Sequence, residues 1–153
     1  MLRISKLADY ATVIMHHLAV QPDQWVSASE IAEQVHLAIP TVSKILKMLC
    51  EASLVISARG TGGGYKLGKP ASAISVAEVV TAIEGKPSLT ECAQGAQLCV
   101  QEGVCAVKHN WRAINRFVFN TLQNVTLADM AQPLSLPAAL FPSRAKSAVI
   151  SNR

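Results

Sequence analysis

Three cysteines and a histidine fall within eighteen residues, spaced Cys92-x6-Cys99-x5-Cys105-x3-His109. Thiolates and imidazole are soft-metal ligands. Zinc sites usually pair cysteines two to four residues apart, and the gaps here are longer. A loop of this span suits a larger group. An iron–sulfur cluster fits, because its irons lie apart and each needs a ligand. Cys105 is expected to open a helix, whose positive end would lower the thiol pKa. His109, one turn further on, could face the same site or stand in solvent. Three cysteines in one loop are poorly explained by packing alone, whereas Cys50, remote in sequence, reads as a small core residue.

The element that must carry these residues follows a compact N-terminal unit. Ile4 to Val20 has apolar residues at helical spacing and ends at Gln21-Pro22-Asp23. Ser27-Ala28-Ser29-Glu30 is a capping box that opens a short helix. His36-Leu37-Ala38 is a tight connection, and Pro40 suits the first turn of the next helix. There Val42, Ile45, Leu46 and Leu49 form the inner stripe, leaving Thr41, Ser43, Lys44 and Lys47 outside. Two short helices about a turn, the second basic on its outer side, read as a helix-turn-helix. Leu54 to Ser57 and Tyr65 to Leu67 read as strands joined by the glycine-rich turn Gly60-Thr61-Gly62-Gly63-Gly64, a wing with Arg59 and Lys66 flanking its tip. A dinucleotide loop would have to open a helix, and this one leads into a strand.

A second capping box, Ser75-Val76-Ala77-Glu78, starts another helix that ends at Gly85 and Pro87. Ser88 to Val104 lacks periodicity and reads as a loop. From Cys105 a longer helix carries Val107, Trp111, Ile114, Val118, Leu122 and Val125 on one stripe, long enough to call for a partner helix. The expected organisation is therefore mainly α with a small β-hairpin wing: a winged helix-turn-helix over residues 1–84, a cluster-binding loop over 85–105, a dimerisation helix with a short C-terminal helix over 106–132, and a flexible tail over 133–153.

The 153 residues carry a net charge of +4. Lys44, Lys47, Arg59, Lys66 and Lys69 oppose only Glu51 between Ile39 and Pro70, and the other charges balance. A basic window on a DNA-reading helix suits phosphate contacts, although charge alone fits a solvated face as well. No apolar run reaches the roughly 18–20 residues of a membrane helix, and no secretory cleavage site is evident. The cytoplasm is the expected compartment. No nucleophile–base signature of a hydrolase occurs, and the adjacent His16 and His17 face different ways on one helix, so no enzyme is expected.

The run Arg59-Gly60-Thr61-Gly62-Gly63-Gly64-Tyr65-Lys66-Leu67, followed by the cysteine triplet, resembles the IscR/NsrR family of iron–sulfur winged-helix regulators. The stretches Pro40 to Lys44, Leu89 to Cys92 and Val125 to Met130 are similar to the branch that regulates the SUF iron–sulfur assembly operon. The resemblance implies a homodimer on double-stranded promoter DNA, with crossing long helices and an iron–sulfur cluster, 2Fe–2S ahead of 4Fe–4S, near the dimer contact. Cys92, Cys99 and Cys105 match the cysteine ligands. The fourth ligand stays open between His109, one residue later than in IscR-like members, and Asp9, which matches a first-helix aspartate supplied from the other subunit in NsrR-like members. The Cys92–Cys99 gap is also one residue longer than in IscR. Thr41, Ser43, Lys44, Lys47, Arg59 and Lys66 are the expected DNA contacts. Ser43 stands where IscR has a glutamate that discriminates operators, so that discrimination is not carried over. Three alternatives remain: a repressor sensing zinc or thiol oxidation through the same residues, a redox or iron–sulfur carrier that binds no DNA, and a cofactor-free repressor whose cysteines are vestigial.

Overall fold

A computed structural model describes residues 3–95 and 98–134 of the chain. Six helices and a hairpin follow in the order α1 (Lys6–Ala19), α2 (Ala28–Gln34), α3 (Ile39–Glu51), β1 (Val55–Ala58), β2 (Gly64–Leu67), α4 (Val76–Glu84), α5 (Glu91–Gln94) and α6 (Lys108–Asn124). The mainly α architecture with a hairpin wing is the one expected. Most of the tail from Pro133 lies outside the described residues.

The helices α1, α2 and α4 each begin where a serine side chain takes up a free backbone donor. The Ser5 hydroxyl accepts from the Ala8 N–H, so α1 starts at Lys6 rather than Ile4, which stays exposed. Both capping boxes close reciprocally, Ser27 with Glu30 and Ser75 with Glu78. The turn between α2 and α3 requires a left-handed residue, and His36 supplies it at φ 54°. Ile14, Met15, Leu18, Ile31, Ile45, Leu46 and Leu49 meet in one core beneath these helices.

The wing strands pair antiparallel, from Val55 opposite Leu67 to Ala58 opposite Gly64. Gly60 and Gly62 take φ 99° and 86° at the tip, where a side chain would be strained. Val26 adds an isolated bridge on the other side of β2 that the sequence pattern does not announce. It exchanges both backbone hydrogen bonds with Tyr65, at 3.1 and 2.8 Å.

The second half differs from expectation in two places. The loop over 88–104 contains the short helix α5, its first turn closed by Ala93 and Gln94 donating to the Thr90 carbonyl. The long helix starts at Lys108, not Cys105: the tight turns Glu102 N–H to Cys99 O and Val104 N–H to Gln101 O lead into a third, Lys108 N–H to Cys105 O, and the Val107 carbonyl then accepts the first helical bond, from Trp111 N–H. Beyond α6 the chain folds back: Val76 N–H donates to Val125 O and Leu127 N–H to Ile74 O. Leu127 is thereby buried in the core of the N-terminal helices. α6 packs on α4 and α5 but buries only Asn115 fully among its own residues.

Candidate functional site: a DNA-reading helix and a cysteine loop

The recognition surface is built by α3. Burial of Val42, Ile45, Leu46 and Leu49 leaves Ser43, Lys44 and Lys47 exposed and Thr41 half-buried beside them. Ala38 offers no side-chain cap and the first turn contains no acid, so the positive helix end is open to a phosphate. Arg59 is exposed at the wing tip. Lys66 is not at the tip. The register sets it opposite Ile56, and its ammonium lies 4.7 Å from the centre of the Trp25 ring. That cation–π contact draws it onto the sheet. Trp25, absent from the sequence-based expectations, lies in the α1–α2 link beside the bridge at Val26.

All four cysteines are free. Cys50 lines the core as expected. Burial and the neighbouring Glu51 push its thiol pKa up, against a hydrogen bond with Ser57, so it is a poor nucleophile at neutral pH. Cys92 lies in α5, only 7% exposed, with its sulfur 3.2 Å from the Thr90 hydroxyl. Cys99 and Cys105 are half-buried on the following turns.

Among the described residues no three His, Cys, Asp or Glu side chains come together as they would around a metal ion. Cys92 borders a cavity of about 280 Å³ with Lys86, Arg112, Asn115 and Arg116. His109 is exposed and lines a separate groove across Arg112 and Arg116. Asp9 is exposed on α1, in a groove with Val76, Val80 and Met130 that contains no cysteine. The donor set itself fits a soft metal group: three free thiols, Cys92, Cys99 and Cys105, lie on one segment.

The loop is tied to α6 by polar contacts. The Asn115 side-chain oxygen Oδ1 accepts from the Leu89 N–H at 2.9 Å. Arg112 donates from Nε to the Cys92 carbonyl and from a terminal nitrogen to Glu102, both at 2.8 Å. Past the loop, α6 presents a partly open apolar face, with Val107 49%, Trp111 40%, Ile114 46% and Phe117 57% exposed. No helix among the described residues is long and apolar enough to cross a membrane.

Residues 4–133 match the Rrf2 family, described as an iron-dependent transcriptional regulator. The HTH-type transcriptional regulator IscR of Yersinia pseudotuberculosis is 33% identical over 130 residues, 84% of this chain and 79% of that protein. The structure of CymR, the global cysteine regulator of B. subtilis, superposes with a TM-score of 0.69 at 30% identity, covering 86% of this chain and 97% of that one. IscR of T. potens does so with a TM-score of 0.66 at 28% identity, covering 84% and 85%. An exposed basic helix, a hairpin wing and a match across most of the chain lead to one conclusion: this protein belongs to the Rrf2 family of DNA-binding transcriptional regulators, which are not enzymes.

Proposed function

We propose that the chain acts as a homodimer that reads double-stranded promoter DNA and senses iron–sulfur status, repressing an iron–sulfur assembly operon of the SUF type. The observation that carries this reading is the grouping of three free thiols on a loop hydrogen-bonded to α6, the helix with the open apolar face. Each subunit inserts α3 into a major groove, with Thr41, Ser43 and Lys44 toward base edges and Lys47 toward phosphate. Arg59 extends the contact to the backbone or minor groove. Lys66, drawn toward Trp25, contributes to the wing's charge from further away.

Cys92, Cys99 and Cys105 would hold the cluster, with His109 or Asp9 of the partner subunit as the fourth ligand. When bound, such a cluster supplies a group whose presence and oxidation state report iron and redox conditions. The chain's own part is conformational. The thiols must converge, so binding is coupled to closure of the loop. Closure acts on α6 through Arg112 and Asn115, and α6 sets the spacing of the two reading helices. Coupling of about 1–3 kcal/mol changes operator occupancy severalfold or more.

The separation of the cysteines and the likeness to CymR favour a second reading, a repressor whose thiols respond directly to oxidation. Anaerobic purification with a visible spectrum and iron and sulfide counts separates the two. The cluster reading expects coloured protein containing both elements, bleached by Cys99→Ala. Colourless protein lacking both, with operator affinity unchanged on reconstitution, refutes it.

A further inference from the structure

Arg112 holds two distant parts of the cysteine loop at once. Its Nε donates to the carbonyl of Cys92 in α5, and its terminal nitrogen donates to Glu102, between Cys99 and Cys105. The Glu102 side chain is only 17% exposed, and Lys108, one helical turn earlier, stands 3.9 Å from the same carboxylate oxygen. A surface ion pair contributes little by itself. Here one planar guanidinium is divided between a backbone carbonyl and a sheltered carboxylate, each on a different arm of the loop. The fork has donors in fixed directions, a geometry that a lysine ammonium lacks.

We propose that Arg112 is the positioning residue of the sensor: it sets the Cys92 arm against the Cys99–Cys105 arm and transmits the state of the loop to α6. This rests on the proposed reading of the loop as the sensing element, but the clamp is a property of the chain without any bound group. Arg112 is not a ligand. It acts through the backbone of one thiol residue and the carboxylate between the other two. α6 gives the buried set only Asn115, so replacing Arg112 leaves the helical core intact.

The test uses the full chain stripped of metal and measures alkylation of each cysteine by peptide mass spectrometry. Cys92 is almost fully covered, so its labelling requires α5 to lift from α6, whereas Cys50 reports the core. Arg112→Lys keeps the charge but loses the fork, and should accelerate labelling of Cys92 by about tenfold or more while leaving Cys50 unchanged. Glu102→Gln weakens one arm from the loop side and should accelerate it less. The reversed pair, Glu102→Arg with Arg112→Glu, restores opposite charges but leaves no donor for the Cys92 carbonyl, so labelling should stay fast. Wild-type labelling of Cys92 in Arg112→Lys, or its return to the wild-type rate in the reversed pair, overturns the clamp. A second arm follows release of iron and sulfide from reconstituted protein to a chelator, expected to be faster in Arg112→Lys although all three thiols remain; an equal rate overturns the proposed role in sensing. If wild-type protein takes up neither element, the cluster reading fails while the labelling result still decides the clamp.

Discussion

Truncating the apolar face of α6 should separate the subunits without unfolding them. Ile114 is central to that face, with Trp111 three residues before it and Phe117 and Val118 three and four after. It is 46% exposed, so nearly half of its side chain is left for a partner to cover. Full burial of such a side chain stabilises by about 1.5–3 kcal/mol, and the uncovered half accounts for about 0.7–1.5 kcal/mol. Two-fold symmetry presents the residue twice. Ile114→Ala should therefore weaken the dimer by about 1.5–3 kcal/mol, or roughly 10- to 150-fold in its dissociation constant. Sedimentation velocity over a concentration series measures this directly, and far-UV circular dichroism checks that each subunit keeps its helices. Operator affinity should fall with the dimer fraction, because a single recognition helix reads half a site. A dissociation constant unchanged by Ile114→Ala would show that the subunits meet elsewhere and would remove α6 as the dimer helix.

Three further outcomes are expected. Lys47→Ala should weaken operator binding and lower the slope of log affinity against log salt by about one, the share of a single neutralised phosphate; an unchanged slope removes Lys47 from the phosphate-binding residues. Gly64→Ala should loosen the wing, since an added Cβ would lie 2.6 Å from the Val26 carbonyl oxygen and the backbone there has φ +152°; faster amide exchange at Val26 and Tyr65 than in wild type is the check, and unchanged exchange contradicts the strain argument. Acid should destabilise the fold. The Glu30 carboxyl is held below its ordinary value by the Ser27 hydroxyl and backbone, and that of Asp129 by Thr126. Burial pushes Glu78 up, but hydrogen bonds from Lys69 and Ser75 and the lysine charge outweigh it and hold it low. A depressed carboxyl contributes stability above its unfolded pKa that is lost as pH falls through the folded one. Melting temperature should thus drop as pH falls below about 4.5, and part of that drop should vanish in Glu78→Gln; a melting temperature that rises on acidification contradicts the assignment.

Local signals made much of the molecule readable from its residues. The stripes on α1 and α3, both capping boxes and the glycine turn of the wing depend on neighbours a few positions apart. The same holds for the exposure of Ser43, Lys44 and Lys47, which follows once the inner face of α3 is known. The cysteine grouping is also plain in the sequence, as is the apolar stripe of α6.

What the sequence could not decide depends on partners far along the chain. Val26 bridges β2 only because the wing swings back beside it, and Leu127 enters the core only because the segment after α6 pairs with Ile74 and Ser75. Lys66, which its place beside the glycine turn set near the wing tip, is drawn to Trp25 by a contact spanning some forty residues. Cys105 falls outside α6 because its carbonyl closes a tight turn with the Lys108 N–H, and the helical bonds begin only at Val107. Arg112 looks like any solvated helix arginine until α5 and Glu102 are packed against it. Periodicity and caps record free energy gained within a turn or a strand. The placement of thiols, cations and carboxylates around the loop is decided by long-range pairing, which leaves no periodic trace in the sequence.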